Sequence, residues 1–353
     1  MVRANRARIA VVGTGWWSTR VHLPALAANP DCELVAVVDR AADRAEEVAR
    51  HFGIGQYFVD HLALRTLRLD GVVVATPPDT HYAIARDCLA MDADVLVEKP
   101  LTVAPRDGWE LVELAAGRGR NLHVGYPYPY SPLAKSLKEL VDTGRLGAIR
   151  LVTGVFATAV GELYKGRSHV DANDALFPPD PSTYSDPMRG GGQAQSQLTH
   201  LASLFLFVTS LEPTVVQSFT LDDPPGVDSW DAMAFRCRGG AVGTLAAAGS
   251  VARGACNAES LELFGDSGHA RWDLGAGTLT IRLYGTESID RKASSEAERY
   301  PREAPVGRLV DTVLGRKPVL VGGVLGAVTT DFISAALRSN EAGHAVAIEA
   351  RRS

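Results

Sequence analysis

The chain has 353 residues, 46% hydrophobic and 22% charged, with a net charge of −5. That length suggests two domains at roughly 150 residues each, and the composition is that of a soluble globular protein with a large core. The mild acidity argues against a general nucleic-acid binder, which would carry a basic excess or stripe.

Arg8 to Val12 is an apolar run ended by Gly13 and read as a strand. Residues 20–29 read as a helix, Glu33 to Val38 as the next strand and Ala41 to Phe52 as a helix. Asp70 to Ala75 is a continuous β-branched run, the pattern of a strand buried on both faces. A helix over 79–91, a strand over 93–97, a helix over 105–118 and a strand over 121–125 follow. Strands alternating with helices mean βαβ units around a doubly wound parallel sheet.

Near residue 125 the pattern changes. After a helix over 131–144, strands dominate at 148–159, 213–222, 231–239, 241–249, 259–265, 268–274 and 277–285. Arg238 to Ala241 and Gly265 to Gly268 carry hairpin-turn residues. This half is expected to be an α+β domain with a large open, mainly antiparallel sheet. Two helices, about 306–315 and 323–340, finish the chain. The expected division is 1–125 and 126–353, with the last helix able to pack back on the first domain. The interval 160–189, rich in Pro, Asp, Ser and Gly, is long enough to be functional or mobile. There is no internal repeat.

Four cysteines, at 32, 88, 237 and 256, match no zinc or CxxC spacing and read as buried free thiols of a reducing cytoplasm. No apolar stretch reaches the ~18–20 residues a membrane span needs, and the first apolar run is too short for a signal sequence. A cytoplasmic protein without membrane or nucleic-acid partners is expected.

Gly13-Thr14-Gly15-Trp16-Trp17-Ser18 is a G-x-G-x-x-G turn with Ser18 in place of the last glycine. The first glycine permits the tight turn. The second lets a pyrophosphate approach the backbone at the helix N-terminus. Asp39 ends the second strand 24 residues after Gly15, where a carboxylate can hold the adenosine ribose hydroxyls. Asp39 favours NAD over NADP, because a 2′-phosphate would meet a like charge. Arg40 beside it is either a partner for that phosphate, leaving NADP possible, or a solvated charge. Thr76 and Pro77 stand at the carboxyl end of the third strand run in the series, where backbone can touch the cofactor. His81 follows at the start of a helix.

Of 36 basic residues only six are lysine. One of them, Lys99 in Glu98-Lys99-Pro100, falls at the carboxyl end of a parallel strand, where open α/β sheets bind ligands. Lys99 could exchange a proton with a substrate hydroxyl or simply pair with Glu98.

Gly13-Thr14-Gly15, Ala75 to His81, Glu98-Lys99-Pro100, Val124-Gly125-Tyr126 and Gly190-Gly191-Gly192 with His200 come in the order and spacing of one family. The chain resembles the glucose-fructose oxidoreductase, inositol dehydrogenase and rhizopine-catabolism (Gfo/Idh/MocA) oxidoreductases. That resemblance implies hydride transfer between nicotinamide and a secondary alcohol or ketone carbon of a sugar, sugar derivative or cyclitol. It implies Glu98 and Lys99 at the cofactor, Lys99 and His200 as catalytic residues, and homodimers or homotetramers built through the second sheet. Leu151, Val155, Ala246 and Val251 are among the apolar residues available for such contact.

Two departures stand out. The family's site Asp, four residues before the His on a helix, is Ser196 here, flanked by Gln195 and Gln197. A Lys–His relay is therefore expected rather than a Lys–Asp–His triad, with His200 titrating near neutrality. After Gly125 stands a Tyr126-Pro-Tyr128-Pro-Tyr130 run, which reads as a stacking pocket for a sugar or as a rigid linker, Tyr126 being the leading pocket residue. Tyr164, Lys165, Arg167 and His169 could close over a substrate, and Ser196 and Gln197 could border it. Asp171 and Asp174 alone do not make a metal site, and no metal is expected. Two rival readings share these residues: a non-enzymatic NAD-binding sensor, which the loss of the Asp favours, and NAD-recycling glycoside cleavage.

Overall fold

A computed structural model describes residues 6–168, 175–251, 257–285 and 288–349. The first sheet holds β1 (Ala7–Val12), β2 (Cys32–Val38), β3 (Gln56–Phe58), β4 (Gly71–Val74), β5 (Asp94–Val97) and β6 (Leu122–Val124). Their order is β3-β2-β1-β4-β5-β6 and every pairing is parallel. Strands β4 and β5 are buried along their whole length, as helices on both faces require. The expected first helix begins as a wide π-turn, Ser18–His22, before Leu23–Ala28. The edge strand β3 is three residues long, too short to show alternation in the sequence.

The second sheet has nine strands. They are β7 (Ile149–Ala157), β8 (Pro213–Asp222), β9 (Asp228–Cys237), β10 (Val242–Ala248), β11 (Ala258–Gly265), β12 (Gly268–Asp273), β13 (Thr278–Leu283), β14 (Ser288–Lys292) and β15 (Val346–Ala347). The order is β14-β13-β12-β11-β7-β10-β9-β8-β15. All pairings are antiparallel except β7 with β10. Strand β14 (SIDRK) carries too few apolar residues for its alternation to be legible.

One face of this sheet packs on helix Thr199–Thr209, which is buried nearly all round because Gly323–Ala342 covers its other side. Gly323–Ala342 joins the two halves: Phe332 and Ala336 belong to the second core, Ala327 to the first. Trp109 Nε1 of the first half donates to Asp331 on it at 2.8 Å. Helix Ala304–Val313 also returns to the first sheet, through Val306, Leu309 and Val310. The interval 160–189 is not a bare loop; it contains short helices at Gly161–Tyr164, Pro181–Tyr184 and Pro187–Arg189. Cys32, Cys88 and Cys237 are buried free thiols, and Cys256 lies outside the described residues. Among the described residues no helix is long and apolar enough to cross a membrane.

Candidate active site

A cleft of about 1300 Å³ runs from the carboxyl ends of β1, β2, β4 and β5 to the inner face of the second sheet. Its volume exceeds the ~300–1000 Å³ typical of a single small-ligand pocket.

At one end lies the glycine turn. Gly13 has φ +92°, and a Cβ there would stand 2.5 Å from the Ala75 carbonyl oxygen, so only glycine closes the turn. Ser18, at the third glycine position, donates its hydroxyl to the Gly13 carbonyl at 2.5 Å. Around Gly15 no heavy atom comes within 4 Å of where a Cβ would sit, which leaves the space a pyrophosphate needs. Thr14 is buried; its N–H and hydroxyl donate to Asp39 Oδ2 at 3.1 and 2.8 Å. Trp16, Trp17, Arg40, Thr76 and Pro77 border the cleft. Arg44 also borders it, its guanidinium 4.8 Å from the centre of the Phe177 ring. These residues fit a dinucleotide.

Lys99 stands midway, just beyond β5, and the Lys99–Pro100 bond is cis. Its Nζ donates to the Ser196 carbonyl at 2.6 Å. Burial lowers its pKa to about 8, with the Glu98 charge opposing. Glu98 is itself buried: Oε1 meets His22 Nε2 at 2.9 Å, and Oε2 accepts the Lys99 N–H at 3.1 Å. Burial alone would raise the Glu98 pKa, but His22 and Lys99 hold it below the ordinary value. Gly125 makes the room, since a Cβ there would stand 2.6 Å from Glu98 Oε1. Two π-turns thus grip the dipeptide: His22 ends one, and Ser196 lies in the other, Ala194–Leu198. Such turns recur at functional sites. Nothing in the sequence singled out His22, because its partner is 76 residues away.

His200 borders the same cleft, stacked on Phe156 with ring centres 5.7 Å apart. Its pKa lies well below the usual value, first through burial and then through the Lys99 charge. The expectation that it titrates near neutrality is therefore corrected: His200 is a neutral imidazole.

Several expected contacts lie elsewhere. Tyr126 is fully buried behind the cleft wall and its hydroxyl pairs with Thr199 Oγ at 2.6 Å. Tyr164 is also buried, bonded to Gln193 at 2.7 Å and Ser196 Oγ at 3.0 Å. Lys165 turns to a separate hollow and pairs with Asp223 at 2.8 Å, and Arg167 pairs with Glu162. His81 is buried between the carbonyls of Thr76 and Pro100, both at 2.9 Å, and so ties together the chain beyond the adjacent strands β4 and β5 without bordering the cleft. Of the tyrosine run, only Tyr128 reaches the cleft; Ser196 and Gln197 do as well. His169, Asp171 and Asp174 lie outside the described residues.

The sequence reading missed Phe156, Asn257, Glu259, Arg299, Tyr300 and Arg302, all of which border the cleft. Glu259 is buried, accepts from the Tyr128 hydroxyl at 2.7 Å and from Asn257 at 3.0 Å. These residues stand near strand ends, at the end of the short helix Glu296–Arg299 and in the turn after it, with no local motif to mark them.

A doubly wound parallel sheet with a glycine turn, joined across a cleft to an open mixed sheet, defines a two-domain dinucleotide-dependent class. Residues 7–126 match the family model "Oxidoreductase family, NAD-binding Rossmann fold", and residues 134–271 match "GFO/IDH/MocA C-terminal domain". The chain belongs to the Gfo/Idh/MocA oxidoreductase family, whose first domain binds NAD. It is 36% identical over 154 residues to inositol 2-dehydrogenase of Rubrobacter xylanophilus, a match covering 43% of this chain and 44% of that one. It is 32% identical over 149 residues to dTDP-3,4-didehydro-2,6-dideoxy-alpha-D-glucose 3-reductase of Streptomyces violaceoruber, covering 42% and 44%. The matches thus span less than half of each relative. The crystal structure of an oxidoreductase domain protein from Kribbella flavida shares the fold, with a TM-score of 0.82 at 19% identity over 98% of this chain and 100% of that one.

Proposed function

We propose that the protein is an NAD-dependent oxidoreductase acting on a secondary alcohol or the corresponding ketone of a sugar-like or cyclitol substrate. The observation that carries this reading is Lys99: a largely buried amine with a pKa near 8, bordering the same cleft as the glycine turn. Relatives named as acting on inositol and on a deoxysugar support the substrate class. Bound along the cleft, NAD would take up or supply the hydride.

Lys99 accepts the hydroxyl proton as the carbon is oxidised and returns it in the reverse direction. The Ser196 carbonyl aims Nζ and accepts one of its hydrogens. Glu98 supplies the negative charge that the missing family carboxylate would have given, from behind Lys99 rather than beside it. Neutral His200 donates or accepts one hydrogen bond and holds the substrate oxygen against Lys99. Asp39, locked by Thr14, favours NAD, although Arg40 and Arg44 stand close enough to the ribose end to admit NADP.

The test is a panel of sugars, cyclitols and glycosides incubated with NAD or NADP, read by nicotinamide absorbance and by product analysis, with Lys99→Ala alongside. Reduction by at least one substrate, lost in the variant, is expected. No reduction with any substrate would favour the sensor reading; cleaved glycosides without net NADH would favour the NAD-recycling one.

The open face of the second sheet supports a homo-oligomer. Phe219, Ala232, Ala246, Val155 and Ser260 form one cross-strand row over β8, β9, β10, β7 and β11. Phe219 and Val155 are 67% and 41% exposed, which leaves apolar side chains open along this row. Sedimentation should find a dimer or tetramer, reduced to monomer by Phe219→Glu. A wild-type monomer at micromolar concentration contradicts it.

A further inference from the structure

At the far end of the cleft from the glycine turn, the rings of His200, Tyr128 and Tyr300 run in sequence, with centres 6.2 and 5.0 Å apart. Tyr300 belongs to the segment that crosses from the second sheet to helix Ala304–Val313. Two residues on stands Arg302, partly buried and bordering the same cleft. Its backbone N–H donates to the Tyr300 carbonyl at 2.8 Å, so Arg302 enters the cleft from the Tyr300 side.

The other charges at this end have partners. Glu259 accepts from Tyr128 and Asn257. Arg299 donates to the Gly275 carbonyl at 3.0 Å. Arg189 donates to Ser182 and lies 3.8 Å from Asp79. Among the described residues, the Arg302 guanidinium has no hydrogen bond and no ion pair. An unpaired guanidinium on a cleft wall offers a planar fork that matches carboxylate or phosphate oxygens in pairs.

We infer that the substrate is an anionic sugar, whose carboxylate or phosphate is received by Arg302 while a ring hydroxyl meets Lys99. This rests on the oxidoreductase reading above and adds the class of sugar to it. The shared chemistry is an oxyanion on the sugar; a uronate, a sugar phosphate and a sugar nucleotide are its three sources.

The experiment measures binding separately from turnover. The protein loaded with NADH is titrated with glucose, glucuronate, glucose 6-phosphate and UDP-glucose, at low and high salt. At least one anionic probe should bind about tenfold or more tighter than glucose at low salt, the scale of one charge-assisted contact. That preference should shrink as salt rises. It should vanish in Arg302→Ala and persist in part in Arg302→Lys. The probe that gains identifies the source of the oxyanion. Glucose binding as tightly as every anion, or a preference that survives Arg302→Ala, overturns the inference. If Arg302→Ala no longer binds NADH, the wild-type salt dependence decides, and its absence overturns the inference. Failure of the oxidoreductase reading shows differently, as no NADH formed from any sugar.

Discussion

The Nζ of Lys99 and the backbone carbonyl of Ser196 are 2.6 Å apart. Ser196 occupies the position at which related sites are expected to carry an aspartate, and its side chain turns away, donating to the Gly192 carbonyl at 2.5 Å. The lysine is therefore aimed by a neutral dipole. A carbonyl stabilises an ammonium less than a carboxylate does, so burial wins and the amine is left with a pKa near 8.

The pH dependence of alcohol oxidation follows from this. The free amine is the form that accepts a proton, so kcat/KM should rise with pH and level off above about 8. Glu98 opposes the depression, so Glu98→Gln should move that limb to lower pH. A profile unmoved by Glu98→Gln would separate the limb from Lys99.

Lys99 should also cost stability. Its folded pKa of about 8 lies below the ~10.4 of an unfolded lysine, so between these values the unfolded chain binds more protons and stability rises with pH. Below about 8 the whole penalty is present. Lys99→Met should raise unfolding free energy at pH 7 by about 1–2 kcal/mol, less than the full shift implies because the cleft leaves Nζ within reach of water. Above about pH 10 the gain should fade. Denaturant midpoints at pH 7 and pH 10 measure it, and turnover should fall by ~10²–10⁴ in the same variant. Equal midpoints at pH 7 would falsify the stored penalty.

Gly125→Ala should damage the site without touching the cleft. The added methyl would meet Glu98 at Oε1 and also at Cα, 3.3 Å away, so the strand end must shift. A loss of about 1–3 kcal/mol is expected, with kcat reduced more than NAD affinity. A variant with wild-type kcat would show that the position of Glu98 is unimportant.

Asp39→Ala should relax cofactor choice. The carboxylate repels a 2′-phosphate, and Arg40 and Arg44 remain beside it. The NAD-to-NADP ratio of kcat/KM should drop by about tenfold or more. An unchanged ratio assigns the preference to other residues.

Local chemistry in the sequence determined the βαβ series, the glycine turn, Asp39 and Lys99, because strand ends and tight turns are specified by neighbours. The cleft residues Trp16, Trp17, Thr76, Pro77, Tyr128 and Gln197 were legible for the same reason. The tyrosine run was legible as a motif, but which of its rings faces the cleft depends on packing, and Tyr126 went to the interior. Only the tertiary structure decided the pairing of His22 with Glu98, the neutrality of His200, and the place of Glu259, Tyr300 and Arg302. Each of these depends on burial and on partners far along the chain, where electrostatics outweighs any local pattern.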